Sequence, residues 1–245
     1  PMPSNERKST VDEIRARFDA DVERFSNLET GQAAAIDSPL HMELLTAAAA
    51  LTTPHATAAL DIGCGAGNYT LKLLERLPGL DVTLIDLSQP MLDRAKQRVD
   101  ENSANRITTL QTDIREADLG ASQFDIVMAA QCLHHLRSTE EWKAVFAAIH
   151  RSLRAGGSFW IADSVTHDIP EIETLCRDRW GDYLSDLKDA AYRDHVLEYV
   201  EKEDTPRSLQ FQLDLLRAVG FEAVDVLHKN NRFASFGGVK AGNKN

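Results

Sequence analysis

The sequence predicts an α/β fold in which a doubly wound, mostly parallel sheet of seven strands ends in a C-terminal antiparallel hairpin. Three observations carry this. Short strand-like runs alternate with helix-like patterns from Leu60 onward. The first strand-to-helix junction holds three glycines spaced two apart. Two strand-like runs close the chain, Phe221–Leu227 and Arg232–Val239, separated by the turn-type residues Lys229, Asn230 and Asn231.

The first strand ends in Leu60 and Ile62 and stops at Gly63, Gly65 and Gly67. A helical pattern follows through Leu71, Leu73, Leu74 and Leu77. Glycines at such a junction leave no side chain where a ligand would press on the backbone. The helix N-terminus then offers unpaired N–H groups to a carboxylate or phosphate. A dinucleotide loop would place its third glycine where Asn68 stands; here glycine comes one residue early, at Gly67, which weakens a dehydrogenase reading.

The second strand, residues 81–86, ends on Asp86, where an acid can accept two hydrogen bonds from ribose hydroxyls or, alternatively, cap a helix. Ser88 fits a helix N-cap and Pro90 its first turn, and Met91, Leu92, Ala95 and Val99 form the apolar face. A third strand from Arg106 ends in Asp113 and Ile114. A fourth starts at Phe124 and runs through Ala130, Gln131 and Cys132 into Leu133, His134 and His135. The fifth, Leu153 to Asp163, includes a double-glycine turn. Between Pro206 and Val219, Leu209, Leu213 and Leu216 mark one face of a helix closed by Gly220.

Asp61 before a Gly-x-Gly-x-Gly loop, Asp86, the Asp113–Ile114 pair and the Leu-His-His-Leu segment together resemble the class I S-adenosylmethionine-dependent methyltransferases, over about residues 55 to 163. The resemblance implies a Rossmann-like core with S-adenosylmethionine as cofactor and S-adenosylhomocysteine as product. It assigns the cofactor to Asp61, Gly63, Cys64, Gly65, Gly67, Asp86, Leu87, Met91, Ala130 and Gln131, with Asp113 on the adenine amino group and Ile114 against the ring. The final hairpin also separates this architecture from dinucleotide-binding domains.

Such a reaction is an in-line displacement at an electrophilic methyl group. Holding the two reactants in line is worth on the order of 7–11 kcal/mol in favourable cases. An oxygen or carbon nucleophile can also need a base, for which His134, His135, His41, His195 and Asp163 are candidates; a base with a pKa near neutrality suits the task. The competing reading of the His134–His135 pair is a helix-capping loop. No Asp/Asn-Pro-Pro-aromatic segment is present, which separates the chain from amino-group methyltransferases of adenine and glutamine.

The whole chain, 1–245, reads as one domain: a helical cap over 1–52, a cofactor core over 53–163, a helical lid over 164–205, and a terminal helix and hairpin over 206–245. A single amphipathic helix is expected across 9–25, through Val11, Ile14, Phe18, Val22 and Phe25. Trp180, Tyr183, Tyr192 and Tyr199 in the lid, with His41 in the cap, are the substrate-binding candidates. The alternative is that these aromatics only pack two helices together or form a homodimer contact.

A net charge of −11 and the lack of Lys/Arg-rich stretches disfavour nucleic acid as partner and leave a small-molecule acceptor. No apolar run reaches 18 residues, and Pro1 to Thr10 is polar, so neither a membrane span nor a secretory leader is expected. Cys64, Cys132 and Cys176 are too scattered for a disulfide framework or a zinc site, so a cytoplasmic, metal-free protein is expected.

Two readings differ from this one. Arg17 to Phe25 and Phe233 to Gly238 partly resemble enzymes that make or use carboxy-S-adenosylmethionine in tRNA modification. Those enzymes hold the added carboxylate with an arginine of the C-terminal helix, where this chain has Leu215, with Arg217 nearest. The other is a non-catalytic cofactor-binding partner or sensor, in which a degraded glycine loop would be expected.

Overall fold

The computed structural model describes residues 8–27, 31–101 and 105–242. Seven strands form one sheet: β1 (Ala58–Ile62), β2 (Asp81–Asp86), β3 (Arg106–Gln111), β4 (Phe124–Ala130), β5 (Leu153–Ser164), β6 (Phe221–Asn230) and β7 (Phe233–Lys240). Their order is β3-β2-β1-β4-β5-β7-β6. The first five run parallel, and β7 inserts antiparallel between β5 and β6. The winding reverses between β1 and β4, so the crevice beyond their carboxyl ends is where a doubly wound sheet binds ligands.

Helices cover both faces, and the alternation of side chains along β4 shows how. Ile126 and Met128 face one cluster with Leu45 of α3 (Ser38–Thr52), Leu73 of α4 (Asn68–Leu74) and Leu92 of α5 (Gln89–Asp100). Val127 and Ala129 face the other, with Phe146 of α6 (Thr139–Ser152) and Leu216 of α9 (Leu209–Val219). With both faces buried, the central strands read as nearly continuous apolar runs. Local signals set the helix ends. Ser88 accepts from the Met91 amide, Ser138 and Glu141 form a capping box, and α9 stops at Gly220 with φ 111°.

Three expectations are corrected. The helix expected across 9–25 is two, α1 (Val11–Asp19) and α2 (Val22–Ser26), because Asp21 leaves the helical conformation; the bend brings the rings of Phe18 and Phe25 to 5.5 Å. The last helix starts at Leu209, not Pro206. Ser208 caps it, and Thr205 is tied outward to the His134 and Leu136 carbonyls, each at 2.7 Å. β6 runs on to Asn230 and β7 is shifted one residue later, so the turn falls at Asn231, with φ 52°, and Arg232.

The expected lid holds α7 (Pro170–Leu187) and α8 (Ala190–Glu203), packed through Trp180, Leu184 and Val196 onto Phe233 and Ala35. Much of the polar start, Pro1 to Thr10, lies outside the described residues. Among the described residues, no helix is long and apolar enough to cross a membrane.

Candidate active site

Beyond the carboxyl ends of β1, β2 and β4 lies a cleft of two chambers. Phe18, Phe25, Gln32, Gln131 and His135 line both, and so form the waist between them.

The first chamber is built on the glycine loop. Gly63 has φ 65°, and a Cβ there would lie 2.5 Å from the Cβ of Cys132, so close contact with the end of β4 requires glycine. Gly65 has φ 50° and no protein atom within 4 Å of an added Cβ, which leaves its backbone open to the chamber. The Asp86 carboxylate fastens the loop, accepting from the Gly65 amide at 2.8 Å and the Ser88 amide at 2.9 Å. Burial raises its pKa in spite of those bonds.

Leu87, Met91 and Ile114 supply apolar walls, joined by Val11, Ile14 and Phe18 of the N-terminal helices. Asp113 closes the far end, gripped by Arg115 through Nε at 2.9 Å and Nη2 at 2.5 Å. Burial alone would raise the Asp113 pKa, but the bonds from Arg115 outweigh it and hold the carboxyl below its ordinary value. An apolar slot with fixed carboxylates and a backbone free of side chains at Gly65 suits a nucleoside carrying hydroxyl, amino and charged groups.

Gly63, Gly65, Asp86, Leu87, Met91, Asp113, Ile114, Ala130 and Gln131 thus converge on this chamber as the sequence suggested. Asp61, Cys64 and Gly67 stand behind it. Asp61 accepts from the Thr70 hydroxyl at 2.6 Å, and burial pushes its pKa up to about 7. Cys64 is buried, its amide donating to the Ile85 carbonyl at 3.0 Å, while Gly67 lets α4 approach Ala95 of α5. The sequence reading missed Val11, Ile14, Phe18, Phe25, Gln32 and Arg115; the apolar stripe of α1 was the available signal.

The second chamber opens toward the lid. Trp180, Tyr192 and Tyr199 line it, with Arg17, Arg24, Arg232 and Phe233. Its floor is an acid–imidazole network. Asp163 lies 2.5 Å from His134 Nδ1 and also accepts from the Leu133 and Ser164 amides. On the other side of the ring, His134 Nε2 is 3.7 Å from Asp204. Burial alone would lower the His134 pKa, but Asp204 and Asp163 outweigh it and raise it to about 9.

His135 behaves oppositely. Burial, then the His134 and Arg17 charges, push its pKa well below the usual imidazole value. The two neighbouring imidazoles are thus shifted in opposite directions from the neutral range expected of a base, His134 upward and His135 downward. His135 Nδ1 and Asp204 Oδ1 are buried without hydrogen-bond partners, 3.5 Å apart. These two groups and His134 also bring ligand-type atoms within 4.8 Å of one another. Asp163 holds His134 Nδ1, which leaves Nε2 as the ring atom facing Asp204.

Three other candidates lie away from both chambers. His41 is buried, with Nδ1 2.6 Å from the Ser235 hydroxyl and its ring against His228. Tyr183 donates to the Ala33 carbonyl and Trp180 Nε1 to that of Ala34, each at 2.8 Å, strapping the lid to residues 33–34. His195 is exposed on α8, its ring 6.0 Å from Tyr199, and lines neither chamber.

Comparison with known proteins agrees with this architecture. Residues 59–157 match the family model described as methyltransferase domain. The chain is 24% identical over 181 residues to the carboxy-S-adenosyl-L-methionine synthase of Nautilia profundicola, covering 72% of this chain and 74% of that protein. It is 33% identical over 104 residues to the malonyl-(acyl-carrier protein) O-methyltransferase of a Paenibacillus species, covering 40% of this chain but only 36% of that enzyme. Among solved structures, the Burkholderia thailandensis 1,6-didemethyltoxoflavin N1-methyltransferase, bound to its acceptor and S-adenosylhomocysteine, superposes with a TM-score of 0.64. That alignment has 18% identity and covers 98% of this chain and 94% of the other. Over residues 59–157 the chain is thus similar to methyltransferase domains, and the solved structures share its fold.

Proposed function

We propose that this chain transfers the methyl group of S-adenosylmethionine to a small-molecule acceptor. The carrying observation is the two-chambered cleft joined at Gln131 and His135, whose first chamber combines the open Gly65 backbone with Asp86 and Asp113. In this reading Asp86 takes the ribose hydroxyls, Leu87, Met91 and Ile114 enclose the adenine, and Asp113 accepts from its amino group. The glycine loop would hold the amino-acid part of the cofactor, and Gln131 and His135 at the waist would face both it and the second chamber.

The acceptor enters from the lid side, between Tyr192, Tyr199 and Trp180. His135, neutral and at the waist, is the group placed to accept a proton or hydrogen bond from the nucleophile. His134 positions it, fixed by Asp163 beneath and carrying a charge that keeps its neighbour unprotonated. When bound, the cofactor would supply an electrophilic methyl group, and His135 would take up the nucleophile's proton. Enclosure by the lid excludes water and holds the reactants in line. Three free cysteines and the acidic surface suit a cytoplasmic protein.

The likeness to carboxy-S-adenosyl-L-methionine synthases raises a carboxylated cofactor or a tRNA substrate as the second reading. Leu215 argues against it: the residue at the arginine-equivalent position is buried in the core between α9 and the sheet. Transfer of radiolabelled methyl from S-adenosylmethionine to a panel of small acceptors and to bulk tRNA tests the choice. Label in tRNA, or turnover only with the carboxylated cofactor, would overturn it.

A further inference from the structure

The second chamber carries a feature that the methyl-transfer reading leaves unused. At its edge Arg232 occupies the turn between β6 and β7, with only 9% of its surface exposed. Its Nη2 pairs with Glu173 at 3.0 Å, and its guanidinium carbon sits 5.5 Å from the centre of the Trp180 ring. Nε remains, buried and without a hydrogen-bond partner. Ser164, at the carboxyl end of β5, also lines this chamber, and its hydroxyl is likewise buried and unpaired.

These two groups are neighbours across the sheet. Ser164 is in register with Phe233, and the Val165 amide donates to the Arg232 carbonyl at 2.7 Å. A buried guanidinium N–H with no acceptor is costly, because it has given up water for nothing. The Ser164 hydroxyl in the same chamber adds a second donor, and arginine is the side chain best suited to carboxylate recognition. Arg17 and Arg24 also line the chamber, tied to Glu203 and Asp21. Each of the three arginines is already paired with a carboxylate, so the case for an anion rests on the unpaired Arg232 Nε and Ser164 hydroxyl.

We propose that the acceptor bears a carboxylate, and that Arg232 Nε and the Ser164 hydroxyl bind one of its oxygens while its body lies against Trp180. A singly charged carboxylate fits better than a phosphate dianion, because Asp204 lines the same chamber. The proposal rests on the methyl-transfer reading, since it names the substrate class of that same cleft. The nucleophilic atom then lies toward His135, at the other end of the molecule.

The test uses the full chain loaded with S-adenosylhomocysteine and calorimetric titration with benzoate, phenylacetate and 4-hydroxybenzoate, each beside its uncharged amide. The expected result is binding of at least one carboxylate with at least tenfold preference over its amide. That preference disappears in Arg232→Gln and falls in Ser164→Ala, with S-adenosylhomocysteine affinity unchanged. Arg232→Lys, which keeps charge but removes Nε, fails to restore it. Thermal melts of each variant separate this outcome from misfolding, and Ser164→Ala carries the test if Arg232→Gln does not fold. Binding of no carboxylate, equal binding of acid and amide, or a preference that survives both substitutions overturns the proposal. Failure of the parent reading shows separately, as a wild-type chain that binds no S-adenosylhomocysteine or transfers no labelled methyl group to any small acceptor.

Discussion

The Asp163 carboxylate lies 2.5 Å from Nδ1 of His134, and both groups are buried beneath the waist of the cleft. The pairing couples the end of β5 to the loop after β4, so the acceptor chamber is fixed by the sheet itself. Metal-binding or catalytic imidazoles are commonly oriented in this way by a carboxylate. Here the partner also sets charge. With Asp204 on the other side, His134 is flanked by two acids and stays protonated through neutral pH.

Stability should therefore fall on the alkaline side. The folded-state His134 pKa is raised, from 6.5 to about 9, so its contribution is fully present below pH 6.5 and is lost as pH rises through about 9. The total is on the order of 2–3 kcal/mol for a shift of this size, discounted for coupling. Thermal melts from pH 6 to 10 should show this slope, and His134→Asn should flatten it. A slope unchanged by the substitution contradicts the charged assignment.

On the acid side the sign reverses. His41 is pushed down from 6.5 to about 4, chiefly by burial and then by the His228 charge. A neutral buried imidazole favours the folded state above pH 6.5 and loses that advantage as pH falls toward 4. His41→Gln should weaken the acid slope and leave methyl transfer intact, since His41 touches neither chamber. Lost turnover in a folded His41→Gln chain would return this residue to the substrate site.

The glycines separate folding from binding. Gly63→Ala forces a side chain into Cys132 at positive φ and should cost stability, about 1–3 kcal/mol from the backbone alone. Gly65→Ala shares the backbone cost at φ 50° but meets no protein atom within 4 Å, so its melting temperature should fall less. Yet its methyl group would stand where the cofactor approaches the loop. Its S-adenosylmethionine affinity should drop at least tenfold, and wild-type affinity would show that the ligand does not use that backbone.

His135 and His134 should part in kinetics. His135→Ala is expected to lower kcat at least tenfold with S-adenosylmethionine affinity little changed, as befits a group facing the nucleophile. His134→Asn should have a smaller effect on kcat and shift its pH profile, because it acts through its neighbour. Equal losses without a pH shift would make both residues merely structural.

The parts of this site that were legible in the sequence are local. Gly63, Gly65 and Gly67, then Asp86 at the end of β2, sit within a few residues of a strand end whose period reveals it, so their position follows from one strand–turn–helix unit. The acceptor chamber is not local. Arg232, Ser164, Asp204 and Phe25 come from a hairpin turn, the end of β5, the end of α8 and an N-terminal helix, and only the sheet order brings them together. Aromatic content pointed to Trp180, Tyr192 and Tyr199, but helical spacing does not tell chamber from core. Tyr183 illustrates this, because its hydroxyl is consumed by Ala33. His41 was misplaced for the same reason: α3 is apolar nearly all round, and only the packed structure shows His41 facing Ser235 of β7. The hairpin ran past its turn-type residues because Lys229 and Asn230 still pair with Ala234 and Phe233.

The central claim is that Asp86 and the open loop backbone hold S-adenosylmethionine. Calorimetric titration of the wild-type chain and of Asp86→Ala with S-adenosylmethionine and S-adenosylhomocysteine tests it most directly. Wild-type binding in the micromolar range should weaken about 30- to 100-fold in Asp86→Ala, for the loss of two hydrogen bonds to a charged group. Equal affinity in the two chains, or no binding by a folded wild-type chain, would contradict it.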